Sequence, residues 1–168
     1  MYQTRKDQIA VERKPVAFGD MRGWMDALRR EGELHEITGE VDWNIELGTI
    51  VRLAQGPATG KALLFKNIKD YNTPGTRCSQ IFTSSLGTYR RVAMMLGMPP
   101  DSHPRELVKV ARTILGGSIP PKIVDTGPVK ENILKGKDID LYQFPTPHWN
   151  RLDGGRYLLT YGGVVTKD

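Results

Sequence analysis

The side chains best suited to metal binding or acid–base chemistry are scattered along this chain. The three histidines, His35, His103 and His148, lie in different segments, and none has the Cys, Asp or Glu spacing of a metal site. We expect His35 on the surface of a strand and His103 at the start of a helix. His148 stands between Pro147 and Trp149, where a functional role and a loop-positioning role both remain open. The spacing of the histidines therefore predicts no metal centre.

Two other short patterns look like parts of catalytic sites. Residues 83–87 (Thr-Ser-Ser-Leu-Gly) join a predicted strand to a predicted helix, which is where backbone amides often bind phosphate. They contain a single glycine and no P-loop lysine, so they predict a helix-capping turn instead. Cys78 follows Arg77, but no His or Asp is near in sequence to activate its thiol. We interpret Cys78 as a small buried hydrophobic residue.

The last segment predicts a strand that could lie against a flat ligand. Residues 153–155 (Asp-Gly-Gly) predict a turn, and a strand is predicted over residues 156–166. On that strand Thr160 shares a face with Leu158 and Gly162. A hydroxyl beside a glycine leaves room for a ligand close to the backbone. Taken alone, however, the pattern favours an ordinary barrel strand that bends at a glycine.

Composition indicates a soluble cytoplasmic protein. The chain has 168 residues, of which 39% are hydrophobic, and its one cysteine cannot form an internal disulfide, which fits a reducing compartment. The N-terminus lacks the apolar stretch of a signal peptide, and no apolar run is long enough to cross a bilayer. The net charge of +5 is spread along the chain without an RNA-binding or zinc-ligand motif. We therefore predict no nucleic-acid partner and attribute the charge to an anionic ligand or a protein partner.

Short apolar runs alternate with amphipathic stretches, a pattern typical of the α/β class. We predict helices that begin at Asp20, Asp42, Thr88 and Ser102, and strands over residues 33–37, 62–65 and 77–84. From Ser118 the chain becomes rich in proline and short apolar runs. We therefore predict a polar arm over 1–17, an α/β domain over 18–118, and over 119–168 a linker with the incomplete start of a β-rich domain.

Several short motifs, taken together and in order, resemble the N-terminal portion of the UbiD family of decarboxylases. The resemblance covers about residues 18–168. The matching motifs are 20–28 with 32–34, 40–42 with 46–47, 65–68, 86–97, 153–157 (Asp-Gly-Gly-Arg-Tyr) and 164–168 (Val-Val-Thr-Lys-Asp). Members of this family have an N-terminal α/β domain, then a split β-barrel like that of flavin reductases, then a C-terminal α/β domain. The resemblance therefore implies that residues 119–168 begin a split β-barrel.

The resemblance also implies a cofactor and a reaction. Family members use prenylated FMN with Mn²⁺ and K⁺ to decarboxylate aromatic or α,β-unsaturated carboxylic acids reversibly, with a glutamate as acid–base. Only Thr160 matches a position that lies near the cofactor in the family. In the family, the metal ligands, the cofactor-contacting arginine and the catalytic glutamate all follow the motif that matches residues 164–168, so none of them has a counterpart in this sequence. The resemblance thus implies no catalytic and no metal-ligating residue within this chain.

Three functional hypotheses follow. The first is a truncated or partial UbiD-type carboxy-lyase, inactive by itself, that in full-length form is a homo-oligomer. The second is a non-catalytic subunit of a split enzyme, in which a partner chain supplies the remaining domains. The third is a non-enzymatic α/β binding module. None of them identifies the carboxylic acid or the direction of the reaction.

Overall fold

The computed structural model describes residues 16–55, 60–116, 120 and 122–158. Within these ranges the chain forms an α/β fold, as the alternating pattern predicted. The helices are α1 (Met21–Arg30), α2 (Glu46–Ala54), α3 (Tyr89–Leu96) and α4 (Pro104–Leu115), and the strands are β1 (Leu34–Ile37), β2 (Ala62–Phe65) and β3 (Ile81–Thr83). Residues 1–15, which include most of the predicted polar arm, lie outside the described part.

The strands form one sheet with the order β1-β2-β3. β1 pairs with β2 in parallel, with Leu34 opposite Ala62, and β2 pairs with β3 antiparallel, with Phe65 opposite Ile81. All four side chains of β2 are buried. A continuous apolar run is what a central strand covered on both faces requires.

Side chains of β2 point alternately into two hydrophobic clusters. Leu63 and Phe65 pack with Leu47 of α2 in one cluster, and Ala62 packs with Leu28 of α1 in the other. Because successive residues of a strand face opposite sides of the sheet, α1 and α2 cover opposite faces. α3 and α4 pack on each other in a third cluster around Ala93, Met98 and Leu107.

Helices α1 and α3 begin as the sequence predicted. The Asp20 carboxylate accepts hydrogen bonds from the backbone N–H groups of Arg22 and Gly23, which caps α1. Thr88 caps α3 in the same way, and Gly97 ends it with a φ of +68°. Among the described residues, none of the helices has both the length and the apolar composition of a membrane span.

Two predicted helix starts are wrong. The helix predicted to begin at Asp42 begins at Glu46, because Ile45 takes a positive φ that an α-helix cannot contain. The fourth helix is capped by His103 rather than Ser102. His103 Nδ1 accepts from the Arg105 N–H, and the Glu106 carboxylate accepts from the His103 N–H, which forms a reciprocal capping box.

The strand predictions need two further corrections. The strand predicted over 77–84 is shorter, and Cys78 lies outside it, half-buried, so its interpretation as a core residue is wrong. Residues 156–158 of the last predicted strand are not in a strand, and residues 159–168 lie outside the described part. Three 3-10 turns occupy the predicted linker: Pro128–Lys130, Gly136–Asp138 and Leu141–Gln143. The domain boundaries remain predictions.

Candidate functional site

The segment that leads to Thr160 is seated on the start of α2. The Ile45 N–H donates to the His148 carbonyl at 2.9 Å, and the His148 N–H donates to the Trp43 carbonyl at 3.1 Å. Asn44 and His148 therefore form a parallel β-bridge between residues far apart in the chain. We call residues 143–158 the seated segment.

The backbone of Ile45 at this contact is strained. Its φ is +68° and its ψ is −41°, and the Glu46 N–H donates to the Asn44 carbonyl at 2.8 Å. This is a classic γ-turn, a rare conformation that is especially unfavourable for a β-branched residue. The Ile45 N–H is held by His148 and its carbonyl accepts from the Thr49 N–H at 2.9 Å. These two hydrogen bonds hold the strained conformation in place, as such a conformation requires in order to persist.

His148 connects the turn at 153–155 to α2. Its Nδ1 lies 3.0 Å from the Asn44 side-chain oxygen, and its Nε2 lies 3.3 Å from the Asp153 carbonyl. These contacts support the loop-positioning role. Among the described residues, no group of three His, Cys, Asp or Glu side chains is placed to hold a metal ion. His35 is exposed on β1 and His103 caps α4, as expected for both.

Gly48 allows the seated segment to touch the backbone of α2. A Cβ at this position would lie 2.0 Å from the Trp149 carbonyl oxygen, closer than any real contact allows. The side chain that is missing at residue 48 is therefore what lets Trp149 lie against the helix.

Arg156 joins the seated segment to several aromatic rings and backbone groups. Its guanidinium carbon lies 4.0 Å from the centre of the Trp43 ring, and the Tyr71 and Tyr142 rings are 5.7 Å and 5.4 Å away. Its Nε donates to the Thr146 carbonyl at 2.6 Å, and a terminal nitrogen donates to the Tyr71 hydroxyl at 2.5 Å. In the sequence, Arg156 was identified only as part of the family motif over 153–157.

The carboxylate of Asp42 lies at the base of the same γ-turn. A hydrogen bond from Lys69 at 2.7 Å and one from the Asn44 N–H at 2.8 Å lower the pKa of Asp42. The same ion pair raises the pKa of Lys69. Asp42 thus stabilises the turn in its ionised form.

A cleft of about 610 Å³ lies between α2, β3 and the seated segment. This volume is within the range of small-molecule sites. Aromatic and aliphatic side chains form most of its wall, with Arg52, Gln80 and Asn150 as polar groups. Leu158 is part of the wall, and Thr160, the predicted cofactor residue, lies outside the described part of the chain.

Residues 83–87 lead from β3 to Thr88, the residue that caps α3. The carbonyls of Ser84 and Ser85 accept hydrogen bonds from the guanidinium of Arg91. Arg91 is fully buried, and none of the sequence-based predictions identified its structural role. The available signal was its helical spacing with Met94, which places a cation beside an apolar residue of the same helix.

The described residues show no metal-binding arrangement of their own. The N-terminus of α2 is already covered by the seated segment and by Glu46, whose carboxylate accepts from the Asp42 N–H at 2.7 Å. What these residues supply is the placement of the chain that leads to Thr160.

Comparison with known proteins gives two adjacent family matches. The family model of the N-terminal domain of 3-octaprenyl-4-hydroxybenzoate carboxy-lyase (UbiD) matches residues 25–111. The model of the Rift-related domain of the same carboxy-lyase matches residues 122–168. The seated segment therefore falls within the second match, and the helix on which it rests falls within the first.

Similar curated proteins are decarboxylases. The chain is 37% identical to pyrrole-2-carboxylic acid decarboxylase of Pseudomonas aeruginosa over 153 residues, which are 88% of this chain and 30% of that protein. It is 32% identical to ferulic acid decarboxylase 1 of Saccharomyces cerevisiae, with 85% and 30% covered. The chain thus spans about a third of the length of these relatives.

Solved structures agree with the fold. Vanillic acid decarboxylase of Sedimentibacter hydroxybenzoicus (ShVdcCD, with components that include ShVdcD) matches with a TM-score of 0.69 and 26% identity, covering 84% of this chain and 30% of that one. The UbiD-class enzyme HmfF of Pelotomaculum thermopropionicum in complex with prFMN matches with a TM-score of 0.64 and 25% identity, covering 80% and 29%.

Proposed function

The chain belongs to the UbiD family of carboxy-lyases, and on this basis we propose that it is the N-terminal part of a decarboxylase that uses prenylated FMN. The observation that carries the proposal is the seating of residues 143–158 on α2. Through it, the α/β domain holds the segment that leads to Thr160 by hydrogen bonds, ring contacts and a close backbone approach. Strained backbone clusters at active sites and ligand clamps, so the turn at Ile45 supports a functional role for this junction.

The proposed substrates are aromatic or α,β-unsaturated carboxylic acids. The names of the relatives support this class. Pyrrole-2-carboxylic and vanillic acids carry the carboxyl on an aromatic ring, and ferulic acid carries it on a double bond conjugated to a ring. Loss of CO₂ from such acids leaves an electron pair on an unsaturated carbon, and such a reaction needs an electron sink.

The proposed cofactor is prenylated FMN, with Mn²⁺ and K⁺ as its metals. Bound prenylated FMN would supply the electron sink. The complex of HmfF with prFMN supports this assignment. We further propose that residues 119–168 begin a split β-barrel in which Thr160 lies beside the cofactor. The cytoplasm is the proposed location, since Cys78 has no disulfide partner in this chain.

Apolar side chains on the segment before the seated one support assembly with further polypeptide. Ile123 is 94% exposed, Leu141 67% and Tyr142 72%. These residues lie within the Rift-related match, in a stretch without regular strands. We propose that the rest of a UbiD-type enzyme covers them, either as continuing chain or as a partner subunit, and that the assembled enzyme is a homo-oligomer. The structure of vanillic acid decarboxylase names a component ShVdcD, which supports the alternative in which a partner subunit covers these side chains.

The test starts from native material. An antibody against residues 21–115 would show whether the polypeptide in its source cells has the 18.8 kDa of this chain or is much larger. That polypeptide, purified with any companion and supplied with prenylated FMN and Mn²⁺, should release CO₂ from some member of a panel of aromatic and cinnamic acids. The 168-residue chain alone should release none. Activity only after a second polypeptide is added would favour the split enzyme.

A native protein that binds no flavin and releases no CO₂ from any acid would contradict the proposal and favour the binding module.

A further inference from the structure

The contacts of Arg156 differ in kind from those of an ordinary surface arginine. The side chain is half-buried, and no carboxylate is among its described hydrogen-bond and ring contacts. Its charge instead faces aromatic rings, with the guanidinium 4.0 Å from the Trp43 ring centre. A cation held over a tryptophan face is attracted by the ring quadrupole, and the attraction grows as the pair loses water.

The rings and acceptors around Arg156 come from both parts of the molecule. Trp43 and Tyr71 belong to the part that matches the N-terminal domain, whereas Tyr142 and Thr146 belong to the part that matches the Rift-related domain. Arg156 also donates to Tyr71 and Thr146, so its planar fork joins both parts at once. Tyr71 is itself buried in the main core cluster. The guanidinium therefore ties the seated segment to the rigid centre of the α/β domain.

We propose that Arg156 is a positioning residue that fixes the chain leading to Thr160 relative to the α/β domain, and so helps to place the cofactor. The inference rests on the proposed function for its link to the cofactor. That Arg156 holds the seated segment on the α/β domain follows from the contacts alone. Arg156 is four residues before Thr160 in the sequence, so its position constrains the chain that leads to Thr160.

The first experiment measures hydrogen exchange of the backbone amides in the purified chain. The Ile45 and His148 N–H groups, which bond across the contact, report whether the segment is seated. In Arg156→Gln these amides should exchange about tenfold faster or more, since three cation–π contacts and charge-assisted hydrogen bonds are lost. The Leu64 amide of the central strand should be unchanged. Arg151→Gln, an exposed arginine in the same turn region, is the matched control.

The second experiment measures cofactor retention in the native polypeptide with any companion chain, using FMN itself as the probe. Arg156→Gln should release FMN about tenfold faster than Arg151→Gln does. Arg156→Lys should give an intermediate result, because lysine keeps the charge over Trp43 but lacks the planar fork. If Arg156→Gln does not fold, Tyr71→Phe replaces it, because that change removes only the hydroxyl acceptor.

The outcomes distinguish a failure of the positioning role of Arg156 from a failure of the proposed function. Unchanged exchange at Ile45 and His148 in Arg156→Gln would overturn the inference. Faster exchange with unchanged FMN release would overturn the positioning role, because the contact would then serve stability alone. If the unmodified native protein binds no flavin, the proposed function fails, whereas the exchange experiment still decides whether Arg156 holds the segment.

Discussion

The guanidinium of Arg91 lies 2.9 Å from the carboxylate of Glu33, and its side chain is completely buried. The same group donates to the Gly60 carbonyl at 2.8 Å and to the carbonyls of Ser84 and Ser85. Arg91 therefore joins α3 to the start of β1, to the approach to β2 and to the turn after β3. A buried cation of this kind is satisfied by its partners but leaves them unpaired when it is removed.

Replacing Arg91 should strongly destabilise the chain. We expect Arg91→Met to lower the free energy of unfolding by about 3–5 kcal/mol, because the Gly60, Ser84 and Ser85 carbonyls lose their buried donor and the Glu33 carboxylate loses one of its two cations. Urea unfolding followed by circular dichroism measures this. Arg90→Met is the control, because Arg90 also pairs with Glu33 but is exposed, and it should lose about 1 kcal/mol or less. Equal losses in the two variants would contradict the structural role of Arg91.

Adding one methyl group at Gly48 should unseat residues 143–158. In Gly48→Ala the new Cβ would meet the Trp149 carbonyl at 2.0 Å, so the helix and the segment must separate. We expect a loss of about 1–3 kcal/mol and faster amide exchange at Ile45. Gly39→Ala, where nothing lies within 4 Å of the added atom, should change stability by no more than about 0.5 kcal/mol. A Gly48→Ala variant as stable as the control would refute the close contact.

Glycine at residue 45 should be tolerated unusually well. Ile45→Gly loses a half-buried side chain but relieves a backbone strain of about 1–3 kcal/mol, so we expect a net change of about 1 kcal/mol or less. Ile50→Gly removes a half-buried isoleucine from ordinary helical backbone and should cost about 2–4 kcal/mol. Thermal unfolding of both variants compares them. Losses of the same size would show that Ile45 is not strained.

Acid should weaken the turn before α2. Because Lys69 and the Asn44 N–H lower the pKa of Asp42 below its ordinary value of 3.8, the unfolded chain takes up the proton first as the pH falls. The stabilisation is therefore complete above that ordinary value and is lost as the pH falls through the lowered one. In Asp42→Asn the free energy of unfolding should therefore fall less steeply than in the unmodified chain as the pH is lowered from about 5 to about 2.

The pH experiment needs a charge-matched control. Asp101→Asn removes an equal charge from an exposed position and should leave the acid dependence as it is in the unmodified chain. Glu36, whose pKa is lowered by Lys66 and then by Arg29, contributes in the same direction, so Asp42→Asn should reduce the dependence without abolishing it. An unchanged slope in Asp42→Asn would refute the role of the Asp42–Lys69 pair.

Local signals in the sequence were sufficient for the elements with strong end markers. Helix starts were predicted at Asp20 and Thr88, and both residues cap their helices, because a short polar side chain before an amphipathic stretch satisfies free N–H groups wherever the helix lies. β2 was identified because a run of four apolar residues needs burial on both faces. Asp42 failed as a cap because a distant carbonyl, that of His148, holds Ile45 in a γ-turn. The residues next to Asp42 in the sequence carry no signal of this contact, because His148 is about 100 positions away.

The sequence by itself determined the α/β class, the membership of the carboxy-lyase family and the starts of α1 and α3. These properties follow from residue order and from interactions within one or two turns of chain. Only the tertiary structure decided what Arg91 and Arg156 do, because their partners come from several distant elements. Arg156 meets Tyr71 across 85 positions, and His148 meets Asn44 across 104. Such contacts depend on how the sheet, α2 and the seated segment come together, which no local periodicity records.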